Sequence, residues 1–407
     1  MKYAKPLSAI CAFALVSCMI SGCTGENNSS EKNVTSSQLS QTEEISETTT
    51  GTTAALTSET AKLVGRTYLD DDTLWVAFSG AGAEFVYTGK KLEITIVGDN
   101  AATAGNADNY ARVAIYVDGE RVVDDMLDQK EKTYTAFESN EAKSATVQIV
   151  KLSECIMSTF GIKPIKLAEG EKIEPTAARD LKIEFIGDSI TCGYGVDDED
   201  KEHHFKTSTE DVTKAYAYKT AQQLDADYSI VSISGYGVIS GYSADGKKVE
   251  AQTIPQYYDK LGFSYYKFAD STEVATLEWD FDSFTPDVVV INLGANDASY
   301  AKNAEKKAEF EEGYIEFLKQ VRSHNPDAFI LCTYGVMGPA NLIQNIRIAV
   351  YKYTKQTGDE NIRYFMLDAQ NEAEDGIAAD WHPSAKTHDK CAEQVVEKIK
   401  EYYIDKE

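Results

Sequence analysis

Between residues 63 and 165 the hydrophobic positions recur mostly with a period of two, in short runs at 74–78, 84–87, 92–97, 112–117 and 145–151. Alternation of this kind puts successive side chains on opposite faces, so each run predicts a half-buried strand. Turn signals separate the runs: Ser79-Gly80, Thr88-Gly89, Gly98-Asp99-Asn100 and Asp118-Gly119. Many short strands with no strong helical pattern predict an antiparallel β-sandwich, of jelly-roll type, over 61–170. From 175 to 407 the pattern changes. Continuous apolar runs at 183–186, 228–233, 288–293, 329–333 and 364–367 alternate with helical periodicity near 215–224, 304–322, 342–357 and 386–403. That alternation predicts an α/β fold of three layers, a parallel sheet covered by helices on both faces. In such sheets ligands bind beyond the carboxyl ends of the strands, so the residues just after each strand are where chemistry is sought.

The first 23 residues carry Lys2 and Lys5, an apolar run from Leu7 to Ile20, and the ending Ile20-Ser21-Gly22-Cys23. This is the layout of an export signal, with an apolar core short for a membrane span. The ending resembles the lipobox of bacterial lipoproteins, which implies that Cys23 becomes the lipid-bearing first residue; an ordinary secretory signal cut nearby and an uncleaved anchor are the alternatives. Residues 24–60 are rich in Ser, Thr, Glu, Gln and Asn and nearly free of aliphatic residues, too poor in apolar area to offset the entropy of ordering. They read as a disordered tether between a cell-surface membrane anchor and the folded part.

Of the 407 residues, 66 are acidic and 40 basic, a formal charge of −26. A surface of that sign repels polyanions, so nucleic acid is not an expected partner, whereas a neutral substrate is compatible with it. Contact with a membrane is expected only through the lipid. Five histidines, with no CxxC, HExxH or GxxxxGK[ST] pattern, give no sign of a metal or nucleotide cofactor, and none is expected. Cys155, Cys192, Cys332 and Cys391, the cysteines of the folded part, read as buried free thiols.

Four strand-end signals converge: Gly187-Asp188-Ser189-Ile190, Ser234-Gly235-Tyr236-Gly237, Gly294-Ala295-Asn296-Asp297, and Asp380-Trp381-His382-Pro383 before the last helix. A serine nucleophile needs an adjacent base, and the oxyanion it creates needs donors. Ser189, His382, Gly235 and Asn296 supply one of each. In order and spacing these blocks resemble the SGNH (GDSL-type) hydrolases. More narrowly, GDSITCGYG at 187–195, DWHPS at 380–384 and the preceding β-rich part with VGRTY at 64–68 resemble carbohydrate esterase family 2.

The resemblance implies an esterase that removes acetyl groups from acetylated plant cell-wall polysaccharide, xylan or glucomannan, with no cofactor. It implies that Ser189 attacks the acetyl carbonyl and that His382 takes and returns its proton. The oxyanion would be held by the backbone N–H groups of Ser189 and Gly235 and by the side-chain amide of Asn296. Esters of sialate, peptidoglycan or lipid are alternative substrates, and a catalytically dead sugar-binding lipoprotein is the alternative from another class.

One position departs from the wider SGNH pattern. The orienting aspartate normally stands three residues before the histidine, but that position is Ala379; Asp380 stands two before. Either the Asp380 carboxylate reaches His382, or a backbone carbonyl orients the imidazole and the machinery is a Ser–His dyad. Trp381 is a candidate sugar platform, or merely packs against the histidine loop. Tyr194, Tyr236 and Tyr242 are candidate cleft residues, Asp188 and Asp297 read as structural, and the His203-His204 pair in its acidic stretch is left without a role.

Overall fold

The computed structural model describes residues 51–337 and 342–406. The export signal, Cys23 and most of the tether lie outside the described residues. Chain order begins earlier than the predicted tether end. Thr52–Ala54 pairs antiparallel with Ile165–Leu167, and Leu56 is fully buried. The short run Ala54-Ala55-Leu56 supplies the apolar contact that the preceding polar stretch lacks.

The first part is an antiparallel sheet of nine strands among the described residues. Each predicted run overlaps a strand of this sheet, but three of them are pieces of two longer strands. Gly82–Gly98 runs straight through the predicted turn at Thr88-Gly89, where the register with Glu131–Lys151 shifts between Gly89 and Lys91. Gly89 stays paired with Lys143, and the extra residues lie on the partner strand between Glu138 and Lys143, so the pairing continues instead of ending. Apolar residues of alternate positions, Phe85, Tyr87, Leu92, Ile94 and Ile96 among them, form the buried core of this part.

The second part carries a five-stranded parallel sheet in the order Ala226–Ser232, Leu181–Gly187, Val288–Asn292, Phe329–Tyr334, Ile362–Met366. Its two faces bury different side chains of the same strands. Ile186, Val289 and Ile291 face the helices Ala304–His324 and Ile343–Thr357. Phe185, Val288 and Val290 face Tyr216–Gln223 and Ala385–Tyr402. The period of two thus serves both layers, which is why these strands read as unbroken apolar runs.

Both of these cores extend into the antiparallel part. Trp75, Phe78 and Ile156 belong to the first, and Ala114, Val150 and Leu152 to the second. Fully buried Arg66 also crosses the junction, with Nη2 3.3 Å from Glu184 and its guanidinium near the faces of Tyr258 and Trp279. Cys155, Cys192, Cys332 and Cys391 are buried and unpaired. No helix of the described residues is long and apolar enough to cross a membrane.

Candidate active site

Strand order reverses between Leu181–Gly187 and Val288–Asn292, the place where an open parallel sheet leaves a crevice at its carboxyl end. Ser189 and Asn296 follow these two strands, and Gly235 follows the neighbouring strand Ala226–Ser232. Ser189 is the first residue of the short helix Ser189–Cys192, capped by Asp188, whose side chain accepts from the Ile190 amide. The turn needs Gly187, because a Cβ there would stand 1.9 Å from Thr191 Oγ1. As the first helical residue, Ser189 has an amide that intrahelical pairing does not use.

Ser189 Oγ lies 2.9 Å from Nε2 of His382. The other ring nitrogen, Nδ1, lies 3.1 Å from the backbone carbonyl oxygen of Asp380. That carbonyl fixes the tautomer, with the proton on Nδ1 and the lone pair of Nε2 turned to the serine. The Asp380 carboxylate is not the orienting group. It accepts from the Tyr194 hydroxyl at 3.1 Å, the Phe205 amide at 2.8 Å and His204 Nδ1 at 3.1 Å. The physical reason is the turn: Asp380 and Trp381 both have positive φ, 49° and 64°, which turns the Asp380 side chain out and its carbonyl in. Two successive non-glycine residues in the left-handed region are strained, and such strain persists only where the surroundings enforce it. Here the Asp380 amide also donates to the His203 carbonyl at 3.0 Å, so the acidic loop that carries His203-His204 grips the turn. At the usual aspartate position, Ala379 is fully buried with Gly195 against it, and a Cβ on Gly195 would be 2.9 Å from its methyl carbon.

Gly235 and Asn296, the residues expected to serve the oxyanion, stand just after the two strands that flank Leu181–Gly187 in the same sheet. Gly235 has φ +78°, open to glycine and strained for other residues, and nothing lies within 4 Å of where its side chain would begin. Asn296 is buried; its Nδ2 donates to the Tyr236 carbonyl at 2.8 Å and stands 3.3 Å from Asp188 Oδ2. Asp297 is fully buried and accepts from the amides of Val238, Ile239 and Ser240, so it ties the loop after Gly235 to the Asn296 turn.

A hydroxyl facing a neutral imidazole, with amide donors beside it, is an acyl-transfer arrangement. Residues 183–395 match the GDSL-like lipase/acylhydrolase family. The chain belongs to that family. Residues 63–176 match the N-terminal domain of carbohydrate esterase family 2. Cellulase/esterase CelE of Acetivibrio thermocellus is 27% identical over 342 residues, 81% of this chain and 40% of that protein, so the chain spans less than half of that relative. The acetylxylan esterase / glucomannan deacetylase of Cellvibrio japonicus is 22% identical over 353 residues, 86% of this chain and 90% of that one. Among solved structures, an acetyl xylan esterase (Est2A) from the rumen bacterium Butyrivibrio proteoclasticus has a TM-score of 0.76 at 26% identity, covering 86% of this chain and 97% of its own.

Electrostatically, the site favours neutral forms. Burial pushes His382 down to about 4, against a partly opposing effect of its bond to the Asp380 carbonyl. Burial pushes Asp188 up to about 7 and Asp297 up to about 6. The Tyr194 ring lies against His382, tilted by 30° with centroids 4.1 Å apart, and is itself backed by Phe205, stacked on it at 4.0 Å. Trp381 is 48% exposed and carries Lys201 Nζ 4.2 Å from its ring centre. Tyr242 is also exposed, whereas Tyr236 is buried. Phe205 and the loop around His204 escaped the sequence reading, because their link to Asp380 joins residues 175 apart or more. Among the described residues no group of three or more His, Cys, Asp or Glu is placed to hold a metal ion.

Proposed function

We propose that this chain is a serine esterase that removes O-acetyl groups from acetylated plant cell-wall polysaccharide, xylan or glucomannan, through a Ser189–His382 dyad and an acetyl-enzyme. The observation that carries the reading is the 2.9 Å contact of Ser189 Oγ with an imidazole whose far nitrogen is held by a backbone carbonyl. Ser189 Oγ adds to the acetyl carbonyl carbon as its proton passes to His382 Nε2. The oxyanion is held by the amides of Ser189 and Gly235 and by Asn296. Collapse expels the sugar oxygen, which takes the proton from His382. Water then repeats the sequence on the acetyl-enzyme, releasing acetate and restoring Ser189. Exposed Trp381 offers a flat apolar face to a sugar ring. A charge of −26 does not oppose a neutral polysaccharide. The relatives named above support the substrate class, and the N-terminal sequence supports export with Cys23 as the lipid-bearing residue at the cell surface.

The test is hydrolysis of a chromogenic acetyl ester by the full chain: turnover is expected, and an inert protein overturns the reading. Two further outcomes follow in that assay. Asp380→Asn keeps an oxygen acceptor for Tyr194 and Phe205 and leaves the carbonyl in place, so kcat is expected to stay within about tenfold of wild type. A carboxylate that oriented the imidazole would instead cost about 10⁴-fold on this change. The second concerns pH. His382 must be neutral to accept the proton, and its pKa lies below the ordinary value of 6.5. The acid limb of kcat/KM, which reports the free enzyme, is therefore expected near pH 4, with activity at pH 5.5 within about twofold of that at pH 7.5. A limb centred at 6.5 contradicts the half-buried, carbonyl-held imidazole.

A further inference from the structure

We infer that Glu154, contributed by the antiparallel part, is a positioning residue for the oxyanion donor Gly235. The inference rests on the serine-esterase reading above. Glu154 follows the long strand Glu131–Lys151 and is 1% exposed. Its Oε2 accepts from the backbone N–H of Ser234 at 3.0 Å. Ser234 is the residue before Gly235, so one peptide unit separates the anchored amide from the amide that faces the oxyanion.

Glu154 is itself held from both sides. Its amide donates to Glu210 Oε2 at 2.7 Å, and fully buried Lys151 donates through Nζ to the Glu154 carbonyl at 2.8 Å and the Ser153 carbonyl at 2.7 Å. The next residue, Cys155, directs its thiol to the Ser232 carbonyl at 3.7 Å. The segment 151–155 therefore lies along 232–234 as a fixed support.

Gly235 needs such a support. It has no side chain to be packed, and glycine populates both signs of φ, so the direction of its N–H is set by what holds its neighbours. On the far side the Gly235 carbonyl accepts from the Tyr242 amide at 2.8 Å. On the near side the anchor is Glu154. Oxyanion donors act by being aimed before charge develops, and a misplacement of about 1 Å forfeits much of their effect. A carboxylate from the antiparallel part thereby makes that part a component of the catalytic centre, in addition to any contact it makes with carbohydrate.

The experiment compares wild type, Glu154→Ala, Glu154→Asp and Glu154→Gln as full chains. Functional sites are first counted by reaction to completion with a fluorophosphonate, so that kcat is expressed per titrated serine. Glu154→Gln keeps an oxygen at the same reach and is expected within about threefold of wild type. Glu154→Ala and Glu154→Asp, which remove or draw back the acceptor, are expected to lower kcat about ten- to a hundredfold with KM within about twofold. Hydrogen exchange gives a readout independent of turnover: the Ser234 amide is expected to exchange faster in the Ala and Asp variants and unchanged in Gln. Fewer titratable sites with normal kcat per site, or unchanged exchange at Ser234, overturns the inference. A wild type that neither hydrolyses acetyl esters nor reacts with the phosphonate overturns the esterase reading instead, and the exchange comparison still decides whether Glu154 anchors Ser234. Should Glu154→Ala not fold, the Asp and Gln pair carries the same comparison.

Discussion

Ser189→Ala is expected to lower kcat for a chromogenic acetyl ester by at least about 10⁴-fold, with the fold retained. The size follows from what is removed. Without Oγ there is no nucleophile for His382 to activate, and the residual rate is that of water in a site that still has its donors. The fold tolerates the change because alanine is a good helix former and Asp188, not Ser189, supplies the cap of Ser189–Cys192. Burst kinetics on the wild type and steady-state rates on the variant check this, with circular dichroism as the control. A variant within about tenfold of wild type means that the acyl group does not pass through Ser189.

Asn296→Ala is expected to lower kcat by about 10² to 10³, roughly 3–4 kcal/mol of transition-state stabilisation. In the unliganded chain the Asn296 amide already has acceptors in the Tyr236 carbonyl and, at a longer distance, Asp188. On the proposed mechanism, the longer contact is the one a substrate oxyanion displaces. Burial lifts Asp188 to about 7, so near neutral pH a fraction of its carboxyl groups carries no charge to compete for that hydrogen. The substitution also strands the Tyr236 carbonyl, which costs about 1–3 kcal/mol of stability if it stays buried without a donor. Rates per titrated serine separate the two effects: the stability loss moves the melting temperature and the number of sites, while the oxyanion loss moves kcat at each site. A kcat per site within about tenfold of wild type removes Asn296 from the oxyanion hole.

What was legible in the sequence, and what was not, divides on locality. The five parallel strands were readable because each is buried on both faces, so runs such as Val288 to Ile291 carry no polar interruption. The placement of Ser189, Gly235 and Asn296 just after strands, and of His382 just before the last helix, was readable because each stands in a short string of turn-forming residues. The continuation of the strand through Gly89 was not, since a glycine after a threonine signals a turn, and the extra residues that let the pairing continue lie on the partner strand. The orientation of Asp380 was not legible either. It depends on two positive φ angles and on acceptor demand from Tyr194, His204 and Phe205, which lie more than 170 residues away. Glu154 carries no local signature at all, for a carboxylate after a strand ordinarily faces water, and only the junction with the parallel sheet buries it.

The proposed Ser–His dyad has a physical consequence for catalysis. A carbonyl fixes the tautomer of His382 as well as a carboxylate does, but it lends less stabilisation to the imidazolium formed in the transition state. The positive-φ turn, the His203 carbonyl and the Tyr194 ring hold that geometry rigidly. Orientation, more than charge, is what this loop contributes.

The most direct measurement is the acetate released from acetylated xylan by the full-length protein, set beside Ser189→Ala under the same conditions. The account predicts progressive release by the wild type and none above background by the variant. A wild type that releases no acetate, or a variant that releases it equally well, contradicts the account.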